Sequence, residues 1–256
     1  MKRVVIVGGA GRMGQALAKG LGELPDFKVA TLIDVREPSD LYGATYAKSL
    51  SDNDGLGVDV VVDFSAPESV VASAHWCATH KVGLVIGTTG LSAEQRSAVD
   101  EASTKTGVIM ASNFAIGAAL SERFAAMAAP YFDRVEIIEL HHDKKVDAPS
   151  GTSLAAARAI SDARTRAGLA AIVDPTTRHS ASGARGADGG DGIRVHSVRL
   201  PGLVAHQEIL FGGPGEGLTI RHDSFDRMSF VHGVALAARA VNSTPKLTIG
   251  VESLIP

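Results

Sequence analysis

The chain has 256 residues, of which 45% are hydrophobic, and this is enough for one large domain or two modest domains with a real core. Its formal net charge of −3 at pH 7 argues against nucleic acid or an anionic membrane as a partner, because these usually require a strongly basic face. No apolar stretch reaches the ~20 residues of a transmembrane helix. The single cysteine, Cys77, cannot form an internal disulfide and fits a reducing cytoplasm. We therefore expect a cytoplasmic protein that binds a small molecule.

Up to residue 113, short runs of β-branched residues alternate with alanine-rich segments of helical periodicity. This alternation is typical of β-α-β units around a parallel sheet. The pattern predicts strands at residues 3–8, 28–34, 59–65, 83–89 and 107–113, with helices at 13–24, 67–80 and 92–103 between them.

The pattern changes after residue 113 and predicts a second, α+β domain with a mixed sheet. Helices are expected at 115–132, at about 151–167 and at 227–243, and strands at 133–143, 193–200, 205–213 and 217–224. The apolar face of the last helix could return to the first domain, so we expect one domain of residues 1–113 and 224–256 and another of residues 114–223. The glycine-rich segment 183–192 is either a mobile connection or a lid.

A glycine-rich turn, GGAGRMG, directly follows the first predicted strand. Gly9, Gly11 and Gly14 fit G-x-G-x-x-G, and Gly8 with Gly11 and Gly14 fits a related spacing. Without side chains the turn can tighten, its backbone can approach a pyrophosphate, and the next helix can receive the phosphate charge at its N-terminus. Asp34 ends the second strand, where an acid commonly binds the ribose hydroxyls. The sequence therefore predicts a Rossmann-like dinucleotide-binding domain.

The choice between the two nicotinamide cofactors stays open. Asp34 favours NAD, because a carboxylate repels the additional phosphate of NADP. Arg36 could receive that 2′-phosphate, or it could be a solvated surface charge. We therefore expect NADH, NADPH or both as cofactors.

Two later strand ends lie where ligands collect outside the carboxyl edge of a parallel sheet. They carry the segments DFSAP, residues 63–67, and GTTG, residues 87–90. Each could be an ordinary turn. Since both follow strands of the same sheet, we favour nicotinamide and ribose contacts from Phe64, Gly87, Thr88 and Thr89.

The adjacent histidines His141 and His142 do not have the spacing of a metal site. Neighbouring residues on a strand point to opposite faces, and neither Asp143 nor a cysteine completes a ligand set. We predict no metal. Ordinary surface histidines are the alternative.

The residues after the histidines indicate an anion site instead. Pro149 interrupts any preceding helix and Ser150 is a good N-cap, so the N–H groups of Gly151 and Thr152 can receive a carboxylate. Lys145 and His142 would add cationic or hydrogen-bonding groups to a pocket for a small acidic substrate. Both His141 and Lys145 can donate a proton, and the sequence does not decide between them.

Several segments resemble those of the 4-hydroxy-tetrahydrodipicolinate reductases, also called dihydrodipicolinate reductases. They are VGGAGRMG, VDFSAPE, VIGTTG, SNFAIGA and, most specifically, ELHHDKKVDAPSGT, and the resemblance extends over essentially the whole chain. It implies that His141 is the proton donor or acceptor and Lys145 the second proton donor, that His142 contacts the substrate, and that Gly151 and Thr152 bind its carboxylate. It also implies a homotetramer built through the second domain's sheet. The implied cofactor contacts are Gly8, Gly9, Ala10, Gly11, Arg12, Met13, Asp34, Gly87, Thr88, Thr89, Ser112, Asn113, Phe114 and Ala115.

The implied reaction is the NAD(P)H-dependent reduction of 4-hydroxy-tetrahydrodipicolinate, with loss of water, in the diaminopimelate route to lysine. Some relatives carry an arginine directly after the ribose acid, whereas this chain has Val35 there and Arg36 one place later, so a preference for NADPH does not carry over. Two alternatives are a reductase of another imine, such as iminosuccinate, and a catalytically silent dinucleotide sensor.

Overall fold

The computed structural model describes residues 1–53, 55–243 and 246–255. Its elements follow in the order β1 (Lys2–Val7), α1 (Arg12–Gly22), β2 (Phe27–Ile33), β3 (Thr45–Ala47), β4 (Val60–Asp63), α2 (Pro67–His80), β5 (Gly83–Ile86), α3 (Ala93–Ser103), β6 (Val108–Met110), α4 (Ile116–Ala128), β7 (Arg134–His141), α5 (Gly151–Arg166), β8 (Ala187–Asp188), β9 (Arg194–Arg199), β10 (Ala205–Gly213), β11 (Glu216–Ser224), α6 (Val231–Ala240) and β12 (Leu247–Ile249). Short 3₁₀ turns lie at Leu50–Asp52, Ala129–Tyr131, Arg227–Phe230, Val241–Ser243 and Glu252–Leu254.

The chain divides into two compact units. The first contains residues 1–116 and the chain from residue 227 onwards, and the second contains residues 117–226. Among the described residues, no helix is both long and apolar enough to cross a membrane.

The first unit is built on a seven-stranded sheet in the order β12-β6-β5-β4-β1-β2-β3, and all its neighbouring strands are parallel. Every residue of β4 and β5 is buried, as expected for a parallel sheet that is covered on both faces. The strands run in one direction, so the loops after β1, β2, β4, β5 and β6 all lie at the carboxyl edge of the sheet.

Local signals in the sequence explain the helices of this unit. Ser92 caps α3 and forms a capping box with Gln95, and Pro67 occupies the first turn of α2. Helix α6 packs so closely on α1 that a Cβ atom at Gly20 would lie 2.5 Å from the side chain of Val231. Strand β12 pairs with β6, so the last part of the chain completes the first unit.

The second unit contains a five-stranded mixed sheet in the order β11-β10-β7-β9-β8. Strand β7 pairs parallel with β9 and antiparallel with β10. Alternate residues of β7, Val135 and Ile137, join a core with Ile209 and with Ile160 of α5. Glu139 continues this inward-facing row and is fully buried although it carries a carboxyl group.

The predicted fold class is confirmed: a Rossmann-like parallel sheet is accompanied by an α+β unit with a mixed sheet. The sequence pattern missed β3, β8 and β12, whose two or three residues show no period of their own. Strand β6 is equally short, but it lies within the longer predicted strand segment 107–113. The helix expected at 115–132 ends at Ala128, and a 3₁₀ turn that contains Pro130 follows it. The glycine-rich segment 183–192 contributes β8, which pairs with β9.

Candidate active site

The glycine-rich turn after β1 has the geometry that a pyrophosphate requires. Gly8 has a φ of +85°, and a Cβ atom there would lie 2.4 Å from the Phe64 carbonyl oxygen. A Cβ atom at Gly14 would lie 2.1 Å from the Gly8 carbonyl oxygen. Helix α1 starts directly after Gly11, and no side chain among the described residues caps it, so its first N–H groups can receive an anion.

A groove of about 320 Å³ runs beside this turn. Asp34 lines it and accepts hydrogen bonds from the backbone N–H of Ala10 at 3.0 Å and of Arg36 at 3.1 Å, which fixes its carboxylate against the turn. Arg36 and Lys48 add two cations to the lining. The groove, the bare glycine cradle and the acid at the end of β2 fit a bound dinucleotide. Sequence reasoning missed Lys48, which follows the unpredicted strand β3.

The buried carboxylate of Asp63 organises the loops after β4 and β5. It accepts hydrogen bonds from the Ser65 N–H at 3.0 Å, the Ser65 hydroxyl at 2.5 Å, the Ser73 hydroxyl at 2.6 Å and the Thr88 hydroxyl at 3.0 Å. The Thr88 side chain is therefore committed to Asp63, whereas the neighbouring Thr89 is exposed. Sequence reasoning noted the segment 63–67 but not this role of Asp63.

Two phenylalanines connect the remaining strand ends of this unit. The rings of Phe64 and Phe114 lie 5.5 Å apart, and a Cβ atom at Gly87 would lie 2.1 Å from the Phe64 ring. Phe114 is fully buried, so its side chain belongs to the core and only its backbone could face a ligand. Asn113 accepts a hydrogen bond from the Ala115 N–H at 2.9 Å, which shapes the turn after β6. Of the other predicted contacts, Ser112 and Arg12 are exposed and Met13 is half-buried.

In the second unit, Glu139 and His141 form the centre of the other predicted site. They lie two residues apart at the end of β7, and His141 Nδ1 is 2.5 Å from Glu139 Oε2. The N–H of Ser150, directly before α5, donates to Glu139 Oε1 at 3.2 Å. One carboxylate therefore joins the histidine to the start of the helix that carries Gly151 and Thr152.

Arg199 is the main residue of this site that sequence reasoning missed. It is the register partner of His141 on β9, and both of its terminal nitrogens donate to the Glu139 carboxylate at 2.7 Å. One of these nitrogens also donates to the Asp147 carbonyl oxygen at 2.7 Å. Its only signal in the sequence was its place in the strand segment 193–200, because the pairing of β7 with β9 joins residues far apart in the chain.

Burial and neighbouring charges determine the protonation states of Glu139 and His141. Burial alone would raise the pKa of Glu139, but hydrogen bonds from Arg199, Ser197 and His141 outweigh it and hold the pKa below its ordinary value. Burial lowers the pKa of His141 more than the Glu139 carboxylate raises it, and Lys145 and Arg199 add to the decrease. Glu139 is therefore ionised and His141 neutral at pH 7.

Lys145 lies in the loop that follows β7 and already binds a carboxylate. Its Nζ atom donates to the two oxygens of Asp147 at 2.7 and 2.8 Å, and this contact lowers the pKa of Asp147. The Lys145 N–H donates to the His142 carbonyl oxygen at 3.2 Å, which turns the loop back after the two histidines. The histidines and Lys145 are thus brought into one short loop next to Arg199.

Helix α5 begins as the sequence predicts. The Ser150 hydroxyl accepts a hydrogen bond from the Ser153 N–H at 3.2 Å, and Ser153 donates to Gln207 of β10 at 2.6 Å. Gly151 is exposed, and a Cβ atom there would meet nothing within 4 Å. The start of α5 is therefore anchored to the sheet and has open space beside Gly151.

Within residues 1–53, 55–243 and 246–255, no group of three or more histidine, cysteine, aspartate or glutamate side chains could hold a metal ion. A cavity of about 1010 Å³ at the opposite edge of the parallel sheet is lined by Lys81, Lys105 and Lys246. Helices α2 and α3 end beside it, and the lysines balance the partial negative charge of these helix ends.

The parallel sheet, the glycine cradle and the acid at the end of β2 define the class of protein: it is a dinucleotide-binding protein of the Rossmann type. Two family models, described as the N-terminus and the C-terminus of dihydrodipicolinate reductase, match residues 2–114 and 117–255. The chain belongs to the dihydrodipicolinate reductase family.

Individual relatives agree with this assignment. The 4-hydroxy-tetrahydrodipicolinate reductases of Nocardia farcinica and Mycobacterium marinum are 45% and 46% identical to this chain over 256 residues, with 99% of this chain and 98% of each relative covered. A dipicolinate-bound dihydrodipicolinate reductase from Paenisporosarcina is similar over 100% of both chains, with 38% identity and a TM-score of 0.87. Aspartate dehydrogenase from Thermotoga maritima, with 17% identity, a TM-score of 0.51 and 93% and 96% coverage of the two chains, shares only the fold.

We predict that two glycines of the cradle have separable roles. Gly14→Ala places a methyl group 2.1 Å from the Gly8 carbonyl oxygen and should destabilise the protein by about 1–3 kcal/mol. Gly11→Ala meets the same oxygen only at 3.1 Å but lines the groove, so it should weaken NADH binding about tenfold or more with a smaller loss of stability. Thermal unfolding and fluorescence titration with NADH measure the two effects.

Gly22→Ala is the matched control, because nothing lies within 4 Å of a Cβ atom at this position. It should change neither quantity by much. Equal loss of NADH affinity in Gly11→Ala and Gly22→Ala would contradict the assignment of the groove.

Proposed function

We propose that this chain reduces 4-hydroxy-tetrahydrodipicolinate to tetrahydrodipicolinate, with loss of water, in the diaminopimelate route to lysine. The observation that carries the proposal is its full-length similarity, at 41–46% identity, to relatives named 4-hydroxy-tetrahydrodipicolinate reductase. The test is oxidation of NADH and NADPH by the purified protein with freshly generated substrate. Oxidation with iminosuccinate but not with this substrate would instead identify a reductase of another imine.

The reaction needs a hydride, a proton and a site for a dicarboxylate. Loss of water leaves a cyclic imine conjugated with a carbon–carbon double bond, and bound NADH or NADPH supplies the hydride to C4 of that ring. The electron pair of the double bond shifts toward the ring nitrogen, and protonation of the carbon next to C4 completes the product. His141 serves as the proton donor or acceptor, and Lys145 as the second proton donor.

The loop between β7 and α5 supplies the groups that bind the substrate. The N–H groups of Gly151 and Thr152 receive one carboxylate at the start of α5, and His142 makes a further substrate contact. The open space beside Gly151 supports this role. Lys145 holds both oxygens of Asp147, which is the contact it would make with a substrate carboxylate. The relative solved with dipicolinate also binds a dicarboxylate.

The carboxyl edge of the parallel sheet supplies the cofactor contacts. The turn of residues 8–13 cradles the pyrophosphate, Asp34 binds the adenosine ribose, and residues 87–89 and 112–115 approach the nicotinamide half. Arg36 and Lys48 line the groove with Asp34, so we propose that the chain uses NADPH as well as NADH.

We further propose a homotetramer in the cytoplasm, assembled through the mixed sheet. On β7 the residues that alternate with the buried core, Glu136, Ile138 and Leu140, are only partly buried, and so is Leu210 of β10. The apolar side chains among them, Ile138, Leu140 and Leu210, lie on the face opposite the core and support contact with another copy.

We expect His141→Ala and Lys145→Ala each to lower kcat by at least about 10²-fold, the usual contribution of a positioned proton donor. Neither residue lies in the dinucleotide groove, so the Kd for NADH should stay near its wild-type value. Steady-state kinetics and NADH titration measure both quantities. Lys144→Ala, which changes the exposed neighbour of Lys145, is the control and should keep wild-type turnover. Loss of NADH binding in both His141→Ala and Lys145→Ala would show that they are misplaced.

We expect Arg36→Ala and Lys48→Ala to raise KM for NADPH about tenfold or more, because each removes a charged partner of the 2′-phosphate. KM for NADH should change little. Lys81→Ala removes an exposed lysine outside the groove and should affect neither cofactor. Equal increases for NADH and NADPH in the Arg36 and Lys48 variants would contradict 2′-phosphate recognition.

Light scattering after size exclusion should give four times the chain mass of 26.5 kDa. Leu210→Arg, which places a charge on the open sheet face, should shift the protein to smaller species. A wild-type monomer would contradict the tetramer.

A further inference from the structure

We propose that Glu139 is a positioning residue for the reaction: its buried carboxylate, held by Arg199, keeps a proton on His141 Nδ1 and leaves Nε2 as the atom that exchanges protons with the substrate. The inference rests on the proposed function for its catalytic meaning, but the state of His141 can be measured without turnover.

The carboxyl group of Glu139 carries a negative charge. Its side chain is fully buried, and an isolated buried carboxyl group would become neutral. Arg199 prevents this, because its two terminal nitrogens face the two oxygens in a bidentate pair at 2.7 Å. An ionised carboxylate can only accept hydrogen bonds.

The negative charge of Glu139 sets the position of the proton on His141. Its Nδ1 lies 2.5 Å from Glu139 Oε2, so two acceptors would face each other unless Nδ1 carries hydrogen. At pH 7 the ring is neutral, and a neutral imidazole with hydrogen on Nδ1 has its lone pair on Nε2. Glu139 thus orients the ring and selects the tautomer, which is how a carboxylate serves a catalytic histidine in other enzymes.

The pair of Glu139 and Arg199 is anchored to the loop that follows β7. Glu139 also accepts the Ser150 N–H at 3.2 Å, and Arg199 donates to the Asp147 carbonyl oxygen. The group that selects the tautomer therefore also fixes the loop that carries Lys145. Charged groups acting on His141 are Glu139 on its own strand, Arg199 on β9 and Lys145 in the loop, whereas its register partner on β10 is the neutral Ala205.

The direct test is nitrogen-15 NMR of the histidine rings in the wild-type chain, with His141→Gln used to assign the signal among nine histidines. We expect the Nδ1–H form of His141 near pH 7. An Nε2–H form would overturn the proposal, and it would do so even if the substrate assay failed.

Glu139→Gln gives the functional test. It should lower kcat by at least about 10²-fold, because the tautomer of His141 is no longer fixed, with little change in the Kd for NADH. The carboxylate raises the pKa of His141, so its removal should move the limb of the pH profile set by His141 to lower pH. Glu139→Asp, which keeps the charge, should restore part of that shift. Lower thermal stability with an unmoved pH limb would show a purely structural role and overturn the proposal.

Glu136→Gln is the matched control. Glu136 lies on the same strand but on the opposite face, and it also binds an arginine and a histidine, Arg185 and His196. If the oligomeric mass of this variant is that of the wild type, the nitrogen-15 signal of His141 and the limb of the pH profile set by His141 should both be unchanged. An equal shift in Glu136→Gln would show that the effect is not specific to Glu139.

Discussion

The second unit depends on one ion pair, the bidentate contact of the partly exposed Arg199 with the buried Glu139. Charge inside a protein is tolerated only when it is paired and hydrogen-bonded, and here the donors come from β7, β9 and the residue before α5. These segments must meet for the carboxylate to be satisfied. Removal of one partner from a fully buried pair costs about 3–5 kcal/mol, and the partial exposure of Arg199 lowers the cost here. The folded pKa of Glu139 is lowered, so the stabilisation is present above about pH 4.3 and is lost as the pH falls below it.

In the first unit, neutral hydrogen-bond donors satisfy a buried acid, Asp63. Asp63 is buried at the end of β4 and accepts from the hydroxyls of Ser65, Ser73 and Thr88 without an arginine. It holds together two loops at the carboxyl edge of the sheet. In each unit, therefore, a buried acid near the end of a strand orders the segments from which we expect the ligand contacts to come. The two acids differ in that Glu139 also contacts a titrating side chain.

The elements that the sequence predicted well are those with a strong local signal. Strands β1, β2, β4 and β5 are apolar runs followed by turn residues, and the start of α3 is marked by its capping box. The glycine turn can be recognised in the sequence, because a side chain at Gly8 or Gly14 would collide with backbone atoms and only glycine fits. Strands β3, β8 and β12 were not predicted, because the extended conformation of their two or three residues depends on pairing with a neighbouring strand. Lys48 was not predicted as a site residue for the same reason: it follows β3, and only the fold places it in the groove that Asp34 lines.

By itself the sequence determined the fold class, the dinucleotide turn, the family resemblance and the residues of the histidine–lysine loop as candidates. The signals behind them are local in the chain: a turn, a helix cap, a strand period and a motif each involve residues that are close in sequence. Only the tertiary structure showed that Arg199 pairs with Glu139 and that Glu139 in turn contacts His141. The same holds for the hydrogen bond that the Thr88 hydroxyl donates to Asp63. Such contacts join residues brought together by strand pairing and burial, and a charge or tautomer inside the protein depends on every group packed around it.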